Sequence, residues 1–595
     1  MKDQRNIQGK GAFTKALASM AALVLALILT LTSCGGAAGT SDTDSGITAA
    51  STETSSNAAS KAEMFTDRDL SADYDESSAV TIELSGTSAK ASSTNGVSTD
   101  GGTITITKEG TYIVSGSLTD GQIIVEADDI AKVQIVLNGA EITSKTSAAI
   151  YVKSADKVFV TTAKGTDNTL ANGGSFTPDE DTNIDGAVFA KDDITFNGSG
   201  TLTVNSPAGH GIVGKDDVKL AGGTITVNAA NHGVQANDSV RVAQGTFTIN
   251  ADAKDGVHVS DNADAEEGTT SDSFFYMADG SLIISAGDDG IHADAAATVE
   301  GGSIDVSKSY EGLEALAIKV SGGDIKVAAT DDGFNAAGGN NASSTDSQTF
   351  GADDWGGGKG GFSDGGTDGS IEISGGNIYI TAGGDGVDSN GSVTISGGYT
   401  VVCGPTQGDT SVLDYNVEGT ITGGTFIGTG GAGMASNFNS VENQGLIAVS
   451  VGNQSAGTAV TLTDESGKTI AEVTPELDYA VVYVSTPDMA QGSTYTLTAG
   501  SYSESIELTE SAYSTLGGGM GGRGNMGGGM NGGNMTPPDG SQQGGPSANG
   551  EMPQGGPRGG GKGMHGPGEN NGQMNNIDSQ SADAVSGASE MSGQA

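Results

Sequence analysis

The chain has 595 residues, and its 26 Lys and Arg residues against 74 Asp and Glu residues give a formal net charge of −48. This charge argues against a nucleic-acid partner, because phosphate recognition requires a basic surface. Glycine supplies 98 residues, well above its usual ~7% share of a chain. These glycines follow no three-residue period, so collagen is excluded and a turn-rich repeat or a low-complexity sequence is expected.

The N-terminus has the pattern of a bacterial lipoprotein signal peptide. Basic residues precede an apolar run at 16–31, and Leu31-Thr-Ser-Cys34 resembles a lipobox, whose cysteine is lipidated. We therefore expect Cys34 to anchor an extracytoplasmic, cell-surface protein, with the lipid as its membrane contact. Cys403 is the second of the two cysteines, so we expect no intrachain disulfide and a buried Cys403 in an apolar strand.

A turn-and-strand unit recurs through the middle of the chain, for example in Ala221-Gly-Gly-Thr-Ile-Thr-Val227 and Glu300-Gly-Gly-Ser-Ile-Asp-Val306. Its second turn residue falls at positions 223, 245, 280, 302, 323, 376 and 398, a spacing of about 22 residues with two insertions. Such a period has no room for a helix. It predicts an all-β fold, a right-handed parallel β-helix with two short strands in each coil, closed by a small antiparallel β-cap at its C-terminal end.

The change in composition along the chain predicts its division into segments. Both ends are poor in large apolar side chains and rich in Gly, Ser, Thr, Asn or Met, which is typical of disordered tails. The predicted segments are a signal peptide at 1–33, a flexible tether at 34–62, the β-helix at 63–440, the cap at 441–512 and a disordered tail at 513–595.

A second motif, polar-Gly-apolar-polar, keeps the phase of the repeat. Because successive coils stack about 4.8 Å apart, its first position predicts one column of polar side chains and its fourth position a neighbouring column. The first column contains His210, His232, Asp255, Asp289, Glu311, Asp332 and Asp385, and the second contains His258, His292, Glu314, Asn335 and Asp388. The apolar third position of the motif predicts an inward-facing column, which consists of Ile212, Val234, Val257, Ile291, Leu313, Phe334 and Val387.

Closely stacked carboxylates repel one another and need protons or counter-cations. Calcium fits, because it takes six to eight oxygen ligands in flexible geometry. The predicted calcium ligands are Asp289, Asp294, Glu311, Glu314, Asp331, Asp332, Asp385 and Asp388. Two alternatives remain open: independently solvated Asp-Gly turns, and a zinc site on His258 and His292.

Two insertions, at about 261–273 and 336–369, interrupt the repeat, and long loops on a rigid solenoid are common binding elements. Exposed aromatic rings offer flat platforms for sugar rings. The predicted carbohydrate-contacting residues are Tyr310, Trp355, His258 and His292.

The chain is similar to a bacterial carbohydrate-binding β-helix family, typified by a clostridial cellulose- and pectin-binding protein. The resemblance rests on Phe65–Leu70, Ile104–Gly116, Val136–Ile142 and the Asp-Gly ladder, and extends over about residues 63–510. It implies a protein that binds calcium and plant-type polysaccharides, with acidic galacturonan held through calcium.

Right-handed β-helices also include pectate lyases and polygalacturonases, so an enzyme is the rival interpretation. By resemblance a lyase would need an Arg base, whereas the body offers only Arg241 after Arg68. A polygalacturonase would need an Arg-x-Lys segment, which the chain lacks, although Gly209-His-Gly211 is present. We therefore expect a monomeric, non-catalytic polysaccharide binder, with a purely structural surface protein or adhesin as a third possibility.

Overall fold

The structure is a computed structural model that describes residues 61–180, 182–260, 272–336, 369–405 and 410–516. The predicted signal peptide, nearly all of the tether with Cys34, the C-terminal tail from residue 517, Trp355 and most of both insertions lie outside these ranges. Within them, the structure has no helix with both the length and the apolar character needed to span a membrane.

The body is a parallel β-helix, as the repeat predicts. One regular coil consists of β14 (His210–Gly214), β15 (Asp217–Leu220) and β16 (Thr224–Ala229). Each pairs in parallel with the strand three positions later in the chain, so that successive coils stack in register. The prediction of two strands in each coil was wrong. The middle strand was missed because it is only four residues long, and no recurring glycine marks the bends before it and its counterparts.

The three sides of the helix are named here the first, second and third faces. The first face consists of β4 (Thr103–Ile106), β6 (Gln122–Glu126), β8 (Ile150–Ser154), β11 (Gly186–Ala190), β14, β17 (Val234–Ala236), β20 (Val257–Val259), β27 (Phe334–Ala336) and β30 (Val387–Ser389), with β3 (Val97–Asp100) antiparallel to β4. The second face consists of β9 (Lys157–Thr162), β12 (Asp193–Gly198), β15, β18 (Ser239–Val242), β21 (Phe274–Met277), β28 (Ser370–Ile373) and β33 (Ser440–Val441). The third face consists of β10 (Asp167–Asn172), β13 (Thr201–Ser206), β16, β19 (Thr246–Ala251), β22 (Ser281–Ala286), β24 (Ser303–Ser309), β26 (Asp324–Ala329) and β29 (Asn377–Ala382).

Longer strands continue around a corner of the helix. From the first face onto the second run β23 (Ile291–Val299) and β25 (Leu313–Val320). From the second face onto the third run β1 (Val80–Gly86), β5 (Gly110–Leu118), β7 (Lys132–Ser144), β31 (Ser392–Cys403) and β32 (Glu418–Gly430), with β2 (Ser88–Ala91) antiparallel to β1.

Inward-facing side chains form one continuous apolar core. The predicted inward column is in register from coil to coil, and each of its members is 0% exposed: Ile212, Val234, Val257, Ile291, Leu313, Phe334 and Val387. Full burial of such a side chain contributes about 1.5–3 kcal/mol. The stack is thus stabilised by apolar contacts between neighbouring coils.

The C-terminal end is antiparallel, as predicted. β37 (Tyr479–Thr486) pairs with β32 and with β34 (Gly445–Gln454), and β40 (Ala512–Ser514) joins β34. A separate sheet has the order β36 (Thr469–Val473), β35 (Val460–Thr463), β38 (Thr494–Ala499) and β39 (Tyr502–Glu507). The core of this sheet includes Val401 and Cys403 of β31. Cys403 is therefore buried, as expected from the sequence. The cap covers the end of the third face.

Residues 61–73 form an N-terminal strap against the second face, where the sequence predicted the first part of the solenoid. Helix α1 (Asp67–Leu70) begins with a Thr66 capping box. The fully buried Asp69 accepts a hydrogen bond from Thr195 Oγ1 at 2.9 Å and lies 3.4 Å from Lys157 Nζ. The strap therefore joins distant parts of the chain through a buried ion pair.

Candidate functional site

A ladder of side-chain-to-main-chain hydrogen bonds runs along the bends that precede the first-face strands. At five steps between neighbouring coils, the side chain of the first residue of the polar-Gly motif accepts a hydrogen bond from the N–H of its equivalent one coil later. The pairs are His210 Nδ1 with His232 N (3.2 Å), His232 Nδ1 with Asp255 N (3.3 Å), Asp255 Oδ1 with Asp289 N (3.1 Å), Asp289 Oδ1 with Glu311 N (3.1 Å) and Asp332 Oδ1 with Asp385 N (2.5 Å). The first column is therefore a stack of acceptors that satisfies main-chain donors.

The second column is also in register, since His258, His292, Glu314, Asn335 and Asp388 pair in that order. The histidine rings combine the two columns into one stack. Ring centroids are 5.0 Å apart for His210 and His232, 4.2 Å for His232 and His258, and 4.9 Å for His258 and His292. The sequence placed two of these rings in each column and did not predict that all four would stack.

His292 lies among three carboxylates at the end of this stack. Its Nδ1 hydrogen-bonds to Glu314 and lies 3.7 Å from Asp289, while Nε2 is 3.2 Å from Asp294. Burial alone would lower the pKa of His292, but the hydrogen bonds and charges of these carboxylates raise it above its usual range. The ring is therefore an imidazolium that serves as counter-cation to three of the predicted calcium ligands.

Burial also affects carboxyl groups along the first column, including Asp289 beside His292. Burial, followed by the charges of neighbouring carboxylates, raises the pKa of both Asp289 and Glu311 well above the usual range. The same causes, with Asp385 and Asp388 as the neighbours, raise the pKa of Asp332 to about 9. With a pKa of about 9, Asp332 holds a proton at neutral pH unless a cation takes its place, because a bound cation lowers the pKa of its ligands.

A second group of carboxylates lies at the C-terminal end of the column. Asp385, Asp388 and Asp414 each offer an oxygen within 4.8 Å of the others. Sequence reasoning missed Asp414 because its coil reads Ser411-Val-Leu-Asp414 and lacks the motif glycine. The polar-x-apolar-polar spacing was present, and Val387 pairs with Leu413 in the structure. Of the eight predicted ligands, Asp289, Asp294 and Glu314 lie around His292, and Asp385 and Asp388 belong to the C-terminal group. The other three, Glu311, Asp331 and Asp332, lie on the coils between these groups.

The predicted sugar-contacting residues differ in exposure. Tyr310 is 41% exposed beside the acidic column, whereas His258 and His292 are 9% and 6% exposed. Such burial is unfavourable to direct contact between either histidine and a sugar ring. Trp355 lies outside the described residues.

His232, Asp255 and His258 form a further potential ligand group, with His258 Nδ1 2.6 Å from Asp255 Oδ2. Burial lowers the pKa of His232, and its Nδ1 accepts the Asp255 N–H. For the zinc pair considered from sequence, the rings of His258 and His292 are inclined by only 18°. Nearly parallel rings are unfavourable to a shared tetrahedral ion, because their nitrogen lone pairs do not converge.

The second face also carries clustered carboxylates, Asp193, Asp216 and Asp217, but cations lie beside them. Lys157 Nζ is 2.9 Å from Asp193, and Lys219 Nζ and Arg241 Nη2 are 3.4 and 3.0 Å from Asp217. The second-face group is therefore largely neutralised by the protein itself.

Known proteins support the family resemblance. Residues 100–354 match the family model described as "Carbohydrate-binding domain-containing protein". A protein of the same description from Acetivibrio thermocellus is 40% identical over 141 residues, which are 23% of this chain and 49% of that protein. The chain thus covers about half the length of this relative. A solved structure titled "Structure of the polysaccharide lyase-like protein from C. thermocellum, Gadolinium derivative" is 32% identical, covering 41% of this chain and 93% of its own, with a TM-score of 0.35.

The fold and the first-face column define a parallel β-helix with an ionisable ladder on its outer surface. Within it, residues 100–354 match the family model of the carbohydrate-binding domain-containing proteins, in agreement with the resemblance drawn from the sequence.

Proposed function

We propose that this protein is a non-catalytic, calcium-dependent polysaccharide-binding protein of the cell surface. Its carbohydrate partner is an acidic polysaccharide such as polygalacturonate, or a cellulose-like chain. Ca²⁺ at the first-face carboxylates would neutralise the protein ladder and the sugar carboxylates together.

The observation that carries this proposal is the stacking of the buried Asp289 and the half-buried Glu311 and Asp332 in one column, which raises the pKa of each carboxyl. Burial and mutual repulsion favour the protonated forms of these carboxyls, and a bound divalent cation can displace the protons. The donor set consists of carboxylate oxygens, which suit calcium better than zinc. Tyr310, exposed beside this column, is the aromatic platform available to a bound sugar.

The surroundings of the arginines support binding without catalysis. In the described parts of the chain, Arg68 lies over the Phe159 ring and Arg241 bonds to Asp217 and to the strap carbonyl of Met64. Both side chains are engaged on the second face. Neither is therefore available as a proton-abstracting base at the first-face carboxylates.

A polysaccharide lyase is the second candidate, favoured by one observation. Lys254 lies close enough to lower the pKa of Asp288, whose pKa burial otherwise raises. Lys254 would then be the base that abstracts a proton next to a sugar carboxylate. Release of unsaturated products that is abolished by Lys254→Ala would support the lyase.

The membrane attachment is a separate part of the proposal and rests on the lipobox at Cys34. Cys34→Ser should abolish partitioning of the protein into a detergent phase. Equal partitioning of the two forms would remove the lipid anchor while leaving the binding function standing.

The deciding experiment is calorimetric titration of polygalacturonate into the protein with calcium or with chelator, while absorbance reports unsaturated products. We expect binding in calcium alone and no products. Glu311→Gln should weaken both calcium and polygalacturonate binding, and Glu372→Gln, an exposed carboxylate paired with Lys319, is the matched control. Equal titrations for Glu311→Gln and the wild type would contradict the site, and products would favour the lyase.

A further inference from the structure

A groove runs along the bends that lead into the third face. Its floor is formed by Gly280, Gly302, Gly323 and Gly376, and its volume is about 570 Å³. All four glycines have positive φ, between 81° and 102°. A Cβ atom at any of them would lie 2.6–3.0 Å from the carbonyl oxygen of the preceding coil. Side chains are therefore excluded at these four positions, and the surface there is a shallow, open groove.

The wall of the groove is polar and regular. Ser303, Asp324 and Asn377 are register partners on successive coils and line the groove. The Asn377 amide donates to Asp324 Oδ1 at 2.7 Å, which orients its carbonyl oxygen. One hydroxyl, one carboxylate and one amide group thus lie on successive coils along the groove. Together they can donate hydrogen bonds to sugar hydroxyls and accept hydrogen bonds from them.

Two tyrosines stand at the C-terminal end of this wall. Tyr399 is the register partner of Asn377, and Tyr379 lies two residues beyond Asn377 on the same strand. Their ring centroids are 6.4 Å apart, and Tyr379 is 46% exposed. An exposed aromatic ring beside hydrogen-bonding groups combines an apolar surface for sugar C–H groups with partners for hydroxyls.

The charge of this surface selects the class of glycan. Asp324 in the wall is acidic. Two residues further along the strands, Asp305, Lys326 and Tyr379 are register partners on successive coils, with Lys326 between the other two. An acidic polysaccharide would meet carboxylates here without the buried column of the first face to hold calcium. A neutral chain has no such penalty.

We propose that the third-face groove, with Tyr379 as its platform, binds a neutral polysaccharide chain independently of calcium. This inference rests on the proposed carbohydrate-binding function and adds a second binding surface to it. The first-face column and the groove lie on different sides of the same coils, with the apolar core between them. One protein could then hold a neutral and an acidic polysaccharide together.

The test is affinity electrophoresis of the full chain in gels that contain hydroxyethylcellulose, xylan or glucomannan, all with chelator, and in a gel with polygalacturonate and calcium. We expect retardation by at least one neutral glycan, and a loss of about tenfold or more in that affinity for Tyr379→Ala. Asn377→Ala should weaken the same affinity. Ile283→Ala, an exposed apolar residue of the same face that is 39% exposed, should bind like the wild type.

The outcomes separate the two proposals. If the wild type binds polygalacturonate with calcium but none of the neutral glycans, the groove is refuted and the proposed function stands. The groove is also refuted if Tyr379→Ala and Asn377→Ala bind neutral glycan as tightly as the wild type does. It is refuted as well if both variants have native melting curves but no longer bind either the neutral glycans or polygalacturonate. If the wild type binds nothing in any gel, the proposed function fails and the groove fails with it.

Discussion

The imidazole of His292 and the carboxylate of Glu314 are partners on neighbouring coils, and Nδ1 of the ring hydrogen-bonds to that carboxylate. The predicted calcium ligands Asp289, Glu314 and Asp294 therefore already surround a cation that belongs to the protein. A metal ion added there must share the carboxylates with this imidazolium. Asp385, Asp388 and Asp414 are the second group of clustered carboxylates at which we expect calcium to bind.

His292→Ala should destabilise the calcium-free protein by about 3–5 kcal/mol, since it leaves buried carboxylates without their cation. Calcium should raise the melting temperature of this variant more than that of the wild type. Thermal unfolding with chelator and with calcium measures both effects. Lys319→Ala, which removes the exposed Lys319–Glu372 pair, is the control and should change stability by about 1 kcal/mol or less. A wild-type melting temperature for His292→Ala in chelator would contradict the assignment.

Stability without calcium should fall as pH rises from about 4 to about 9. A carboxyl whose pKa is higher in the folded chain binds more protons than in the unfolded chain, so stability is greatest below its unfolded pKa and is lost towards its folded pKa. For Asp332 that window runs from 3.8 to about 9. Each such group contributes a slope of about 1.4 kcal/mol per pH unit. Urea unfolding across this range in chelator measures the slope.

Asp332→Asn should reduce that slope by one group, and calcium should reduce it in the wild type by replacing the proton. Calcium binding at pH 8 in a weak buffer should accordingly release protons. The prediction would be overturned by the same pH slope in the variant and the wild type.

His210 should contribute a loss of stability in acid. Burial lowers its pKa from 6.5 to about 3, and its Nδ1 accepts the His232 N–H only as a neutral ring. The unfolded chain binds the proton more readily, so this contribution is present above pH 6.5 and is lost as the pH falls to about 3. His210→Asn, which does not titrate, should have a flatter acid limb in melting experiments. An unchanged acid limb would show that the ring is not held neutral.

Removing the buried carboxylate of the strap, by Asp69→Ala, should destabilise the fold by about 3–5 kcal/mol, because Lys157 and Lys219 would lose a buried partner. Hydrogen bonds and these lysines hold the pKa of Asp69 below its usual range, although burial alone would raise it. Asp67→Ala, exposed on the same helix turn, is the control. Denaturant unfolding measures stability, and limited proteolysis should detect release of residues 61–73. Equal proteolysis of both variants would argue against the strap contact.

Much of the first face was predictable because residues one repeat apart in the chain lie side by side on neighbouring coils. Once the phase is known, His292 must lie beside Glu314 and Asn335 beside Asp388, and both pairs are observed. Asp414 was missed since Val412 stands where the motif glycine is expected. Ring stacking between His232 and His258 depends on side-chain direction across two columns, which spacing does not specify.

The amino-acid sequence alone determined the coil period, the inward apolar column and the order of polar residues along the first face. These follow from local bends and from alternation, which repeat identically in every coil. Only the tertiary structure decided the third strand of each coil, the His292 counter-cation and the hydrogen bond of Asp69 with Thr195, more than a hundred residues away in the chain. These features depend on contacts between elements that share no period, so their partners are set by the packing of the completed solenoid.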